Sequence, residues 1–248
     1  MSYQSFSRQL SSYLSGIYCP RILEIGVDQG QTMVPLIHNT TLACPEFMYE
    51  GIDIVVQDSL VQYLTNMTGV RLNGLEDNPN VNLINENSLS VLPKMIENNL
   101  KYDLILVDGD HNYYTVSKEL EMIQSICYQT SLIVCDDYFG KWEKKDLYYS
   151  EYKHYSDVSL ATKRENTQKC GVRVAIDDFV KNSNGRWDCY TFIEQDNSRS
   201  VDFCILYQSE FINIHCKPGE KYMYQTQFLL EVNENESHRF IASPLRSR

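Results

Sequence analysis

Basic charge is scarce in this sequence. Lys and Arg number 22 against 33 Asp and Glu, a formal net charge of −11. Broad contact with a phosphate backbone needs a Lys- and Arg-rich surface, so nucleic acid is not an expected partner. Long apolar runs are also missing, and none approaches the roughly 20 residues of a bilayer span. A membrane partner is therefore not expected. The opening stretch, MSYQSFSRQLSSYL, lacks the charged, apolar and small-residue order of a signal peptide, which makes the cytoplasm the expected compartment. The eight cysteines form no Cys-x-x-Cys pair, so neither structural zinc nor a disulfide framework is expected. Repeats and low-complexity tracts are absent from the sequence as well.

What is present suits an α/β domain. A chain of 248 residues, 43% hydrophobic, is long enough to bury a sizeable core. The stretch Tyr102–Tyr138 organises the rest. Its two apolar runs, LILV and LIV, each end in acid: Asp108 and Asp110 after the first, Asp136 and Asp137 after the second. Between them Val116, Leu120, Ile123 and Ile126 recur at helical spacing. Strand, helix, strand is the reading, and in an open parallel sheet ligands gather outside the carboxyl ends of the strands. Two carboxylates about 5 Å apart repel by roughly 3 kcal/mol at an effective dielectric near 20. Several at neighbouring strand ends call for a cation or a proton, although single Asp residues also cap turns and helices.

The rest of the chain reads in the same alternation. Residues 3–15 predict an amphipathic helix with Phe6, Leu10 and Leu14 on one face. A short strand over Ile22–Ile25 ends at Gly26, and Gly30 follows before a helix that begins near Thr32–Pro35. Glycine lets backbone approach a ligand, and helix amides can point at it. The spacing is G-x-x-x-G, unlike the dinucleotide G-x-G-x-x-G. The next strand, Met48–Ile54, carries Asp53 near its end, where one carboxylate can accept both hydroxyls of a ribose. A third strand at 81–85 precedes a helix that Ser88 can cap, and Pro93 would break that helix unless it lies in the first turn. Residues 139–169 form a long polar and aromatic segment, the candidate lid or substrate loop. A helix over 171–182 and an antiparallel strand pair, 187–194 and 201–208, follow.

ILEIGVDQGQT, GIDI, NENSLSVLP, YDLILVDGDHNYYTV, SLIVCDDY and GVRVAIDDF together resemble the class I S-adenosylmethionine-dependent methyltransferases. More narrowly they resemble the metal-assisted O-methyltransferases of sugars and natural products. The resemblance runs from about residue 21 to 207. It implies a Rossmann-like α/β fold: a seven-stranded, mostly parallel sheet with helices on both faces and the last strand antiparallel. It divides the chain into an N-terminal helix (1–20), a methyltransferase domain (21–208) and a C-terminal extension (209–248).

The resemblance also assigns roles. Glu24 and Gly26 would lie beside the methionine part of the donor, with Gly30 completing the turn and Asp108 bordering it. Asp53 would hold the ribose. Asn87, where the family often has an acid, would meet the adenine beside Ser88. Asp108, Asp136 and Asp137 match the ligands of Mg²⁺ or another divalent cation. Asp110 matches the general base, and His111 is the alternative. The acceptor would be a small molecule, a sugar among the candidates, and a homo-oligomer stays open. Methyl transfer from a sulfonium requires alignment and deprotonation of a hydroxyl. A hard, all-oxygen carboxylate site suits Mg²⁺, which acidifies an oxygen bound to it. Two other functions compete: a metal-dependent glycosyltransferase using Asp108-Gly109-Asp110, and a non-catalytic nucleoside-binding module of the same fold.

Overall fold

The structure, a computed structural model, describes residues 2–68, 80–153, 158–196 and 199–209. The chain alternates helix and strand: α1 (Ser2–Ser15), β1 (Arg21–Ile25), α2 (Met33–Ala43), β2 (Met48–Asp53), α3 (Asp58–Thr68), β3 (Val81–Asn85), α4 (Ser88–Glu97), β4 (Tyr102–Val107), α5 (Tyr113–Ile123), β5 (Cys127–Asp136), α6 (Val172–Asn182), β6 (Trp187–Asp196) and β7 (Arg199–Gln208). The strands form one seven-stranded sheet in the order β3-β2-β1-β4-β5-β7-β6. Pairing is parallel from β3 to β5, and β7 runs antiparallel to both β5 and β6. The expected sheet is therefore present, with its antiparallel strand slotted inside the edge.

Alternation along the strands divides the core in two. Ile22, Leu104 and Leu106 face one side and pack with Phe6, Leu10 and Leu14 of α1, Met33 and Leu36 of α2, and Leu60 of α3. Leu23, Ile25, Ile105 and Val107 face the other, against Leu92 of α4, Val116 and Leu120 of α5, and Ile176 of α6. β4 is buried along its whole length, which explains why it reads as an apolar run without polar alternation. Asp103 interrupts that run. Its Oδ2 accepts from the Arg21 amide at 3.0 Å and so fixes the start of β1 against β4.

Two local expectations need correction. The cap of α4 is Asn87, whose side chain accepts from the Leu89 amide, and Ser88 is the first helical residue. Pro93 lies in the second turn, inside a continuous helix. Proline there costs about 3 kcal/mol. Burial of Val91, Leu92 and Met95, each worth roughly 1.5–3 kcal/mol, offsets it. Segment 139–169, as far as it is described, is pinned at several points. Asp146 Oδ1 accepts from the amides of Tyr113 and Gly171, which ties the starts of α5 and α6 together. Leu147 bridges to His111. The predicted extension lies outside the described residues apart from residue 209.

Leu10 is fully buried between α1 and the sheet. Leu10→Ala should lower the unfolding free energy by about 3 kcal/mol in urea denaturation. A loss below about 1 kcal/mol would mean that α1 is not part of the core.

Candidate active site

Strand order reverses at β1, which has β2 on one side and β4 on the other. That is where an open α/β sheet leaves a crevice. A cleft of about 250 Å³ lies there, lined by the ends of β1, β2, β3 and β4, by Thr115 and Glu119 of α5, and by Tyr149 and Thr162 of the 139–169 segment.

Gly26 makes the crevice possible. Its φ is +88°, and a Cβ on it would lie 2.0 Å from the Asp108 carbonyl oxygen. Only glycine lets β1 turn this close to the end of β4. Asp53 then holds the turn. Its Oδ2 accepts from the amides of Val27 and Asp28, both at 2.8 Å, and its Oδ1 accepts from Val55, also at 2.8 Å. A carboxylate has about four acceptor positions, so roughly one remains open toward the cleft.

Four further acids surround the same space. Glu24 is 1% exposed, and its Oε2 accepts from the Tyr49 hydroxyl at 2.5 Å. Burial pushes its pKa up to about 8, with the Tyr49 hydrogen bond opposing and Asp53 adding. Asp108 is pushed well above the usual carboxylate range by burial, then by Asp136 and Glu24. Its partner Asp136 rises to about 6 through burial and the neighbouring Asp137. The two carboxyls are hydrogen-bonded, so they share a proton. Asp110 is raised by burial, against hydrogen bonds from Thr115 and Tyr149.

Asp137 takes another direction. Its φ is +55°, and its Oδ2 meets His111 Nδ1 at 2.8 Å. His111 Nε2 lies 3.1 Å from the Tyr149 hydroxyl, and the Trp142 ring lies nearly parallel to the imidazole at 6.2 Å. The sequence-predicted metal ligands thus divide: Asp108 and Asp136 come together, and Asp137 pairs with His111. Among the described residues no cluster of three or more His, Cys, Asp or Glu side chains is arranged to hold a metal ion. Asn87 and Ser88 border the cleft, as do Glu24, Gly26, Asp53, Asp108, Asp110 and His111. Gly30 stands behind the turn, where its amide donates to the Val27 carbonyl at 2.8 Å.

Sequence reasoning missed Glu119, a fully buried acid on the cleft wall. A signal existed. Glu119 stands three residues after Val116 and four before Ile123, which puts a charge on the apolar stripe of α5. Tyr49 and Tyr149 were missed for lack of any local pattern.

Residues 23–138 match the family described as a methyltransferase domain. That stretch is similar to the class I methyltransferases. Solved structures share the domain's fold over most of their length. The O-methyltransferase from Bacillus cereus, in complex with SAH, is 15% identical, with 84% of this chain and 80% of that one covered at a TM-score of 0.51. TomG from Streptomyces achromogenes, an O-methyltransferase of tomaymycin synthesis in complex with SAM, is 14% identical, with 82% and 79% covered at 0.50. Human methyltransferase-like protein 13, in complex with SAH, is 11% identical, with 93% and 90% covered at 0.52. No curated protein sequence matches.

The domain's buried acids set a pH dependence. Glu24 keeps its proton in the folded chain up to about 8, against an ordinary value of 4.5. Between those values the native state binds a proton that the unfolded chain has released, so stability of the ligand-free protein falls as pH rises. The slope is on the order of 1 kcal/mol per pH unit for such a group. Glu24→Gln should flatten that decline when urea midpoints are compared at about pH 5.5 and about pH 7.5. An unchanged slope would show that Glu24 does not carry it.

Proposed function

We propose that this chain transfers a methyl group from S-adenosylmethionine to a hydroxyl oxygen of a small molecule, a sugar or related natural product being the leading class. One observation carries the reading. The glycine turn clasped by Asp53, the buried Glu24 and the Asp108–His111 loop all open onto a single cleft. The donor brings a methyl group already activated on a sulfonium, so this chain's residues have to bind, align and remove a proton.

Asp53, with its remaining acceptor position, takes a ribose hydroxyl, and the Gly26–Gly30 turn receives the methionine portion beside Glu24. Seven of the lining residues are Asp or Glu, and none is Lys or Arg. A cationic ligand relieves that imbalance. Asp137 accepts from His111 Nδ1, which leaves the Nε2 lone pair aimed at the Tyr149 hydroxyl. An acceptor hydroxyl in that position would give its proton to Nε2. Asp110 is the less suited base, because its oxygens already accept from Thr115 Oγ1 at 3.1 Å and the Tyr149 amide at 3.5 Å.

The shared proton of Asp108 and Asp136 fits a divalent cation in charge and in two of the three matched carboxylates. Asp108 and Asp136 would hold Mg²⁺, with Asp137 joining only on release from His111. The ion would supply positive charge that makes an acceptor hydroxyl more acidic.

Calorimetry should register heat when S-adenosylhomocysteine is added to the purified chain, and none with nucleotide sugars. The reverse pattern would favour the glycosyltransferase. Excess chelator, or Asp136→Asn, should remove turnover while donor binding persists; full activity in chelator would remove the metal from the scheme. His111→Gln should lower kcat by about 100-fold or more, with S-adenosylhomocysteine affinity changed by less than about threefold. Retention of turnover in that variant would return the base role to Asp110.

A further inference from the structure

One carboxyl in the cleft has no task in the methyl-transfer scheme. Glu119 of α5 is 1% exposed. Its Oε1 accepts from Ser88 Oγ at 2.6 Å. Its Oε2 is buried and has no hydrogen-bond partner, although the residue borders the cleft. Buried polar atoms are nearly always paired, so an unpaired carboxyl oxygen on a cleft wall marks a missing ligand contact. Burial pushes the Glu119 pKa up to about 8, with Ser88 opposing and Asp110 adding. At neutral pH the group is therefore mostly a neutral acid, able to donate as well as accept.

The side chains around it are committed elsewhere. Asn87 Oδ1 accepts from the Leu89 amide to cap α4. Asn87 Nδ2 donates to the Leu160 carbonyl at 2.7 Å and to Thr162 Oγ1 at 2.9 Å. Both of its amide protons thus hold the 160–162 stretch of the loop segment over the cleft. Ser88 gives its one hydroxyl proton to Glu119. Thr115 gives its own to Asp110. Asn87 and Ser88, placed at the adenine by sequence, have no side-chain proton left to offer a base.

We propose that Glu119 reads the purine of the donor nucleoside through its free Oε2, and that Asn87 is the clasp of the loop that covers it. The inference rests on the S-adenosylmethionine reading of the cleft. With the ribose at Asp53 on β2, a base directed away from the methionine pocket reaches the gap between the tip of β3 and α5, where Ser88 and Glu119 meet. Adenine carries an amine donor next to a ring-nitrogen acceptor. Ser88 donates to Oε1, so the proton of the neutral acid sits on Oε2, where it can be given to that ring nitrogen. A 1-deazapurine has a carbon in that place and removes the acceptor while keeping the amine.

The test is calorimetric titration of the full chain with S-adenosylhomocysteine and with its 1-deazaadenosyl analogue. The wild-type chain should prefer the adenosyl compound by about tenfold or more at neutral pH. Glu119→Met should bind the adenosyl compound about tenfold more weakly and lose the preference. Glu119→Gln keeps the size, the Ser88 contact and a donor, so its preference should persist at every pH, whereas the wild-type preference should fall as the Glu119 proton is lost above about 8. If Glu119→Met does not give a cooperative melting transition, that pH comparison decides alone. Equal binding of the two compounds by the wild-type chain at neutral pH, a preference retained by folded Glu119→Met, or a wild-type preference that does not change with pH, overturns the assignment. Absence of binding to either compound by the wild-type chain overturns the donor reading and this assignment together, which separates that failure from the first.

Discussion

Negative charge held out of water without a cation is the constraint on which this structure turns. Glu24, Asp108, Asp136 and Glu119 are each pushed upward chiefly by burial, with Asp136 raising Asp108 further and Asp137 raising Asp136. At neutral pH the relief comes from protons. Glu24 and Glu119 tend to keep theirs, and Asp108 and Asp136 divide one between them. A core built for stability alone would carry apolar side chains in these positions, since a buried charged group is costly unless paired. Among the described residues, the acids that burial raises gather toward one end of the sheet.

The sheet confines the cost to that end. β4 and the second half of β5 are apolar and end in acid, and β2 ends at Asp53; the other acids within these strands are Glu24 in β1, Glu50 in β2 and Asp103 in β4. Glu24 is paired with Tyr49, and Asp103 is paired with the backbone of Arg21. The reversal of strand order at β1 brings the acidic ends of β2 and β4 to either side of it, and the missing Cβ of Gly26 lets the β1 turn lie against Asp108. A larger residue at position 26 would push apart the two strands whose ends form the cleft. Asp53 uses three acceptor positions to hold the same turn. One carboxylate therefore ties the turn and, in the proposed scheme, also meets the ribose.

Much of this was legible in the sequence, because the informative features were local. The apolar runs before Asp108 and Asp136 mark parallel strands, and the Val116-Leu120-Ile123 spacing marks the helix between them. What escaped depended on tertiary contacts. Asn87 looks like a base-contacting residue until Leu160 and Thr162, more than 70 residues away, are seen to take its amide protons. Asp137 reads as a partner of Asp136 from adjacency alone, yet a left-handed backbone at that residue goes with its pairing to His111. Pro93 shows the limit of propensity: tertiary burial of its helix neighbours outweighs a local penalty.

The same accounting connects stability to ligand binding. A ligand that binds only the folded state stabilises it by mass action, and a cationic one adds the removal of carboxylate repulsion. The domain is therefore least comfortable when empty and above neutral pH, where Glu24 and Glu119 approach ionisation together. Residues 160–162, held by Asn87, and Tyr149, held by His111 and Asp110, lie over this charge rather than over an apolar surface. Loss of either contact would leave the acids more hydrated and less strongly shifted, and the cleft would then discriminate less among ligands. The cover that Tyr149 and residues 160–162 provide and the perturbed acids beneath it are in this sense one property, because exclusion of water is what pushes the carboxyls up.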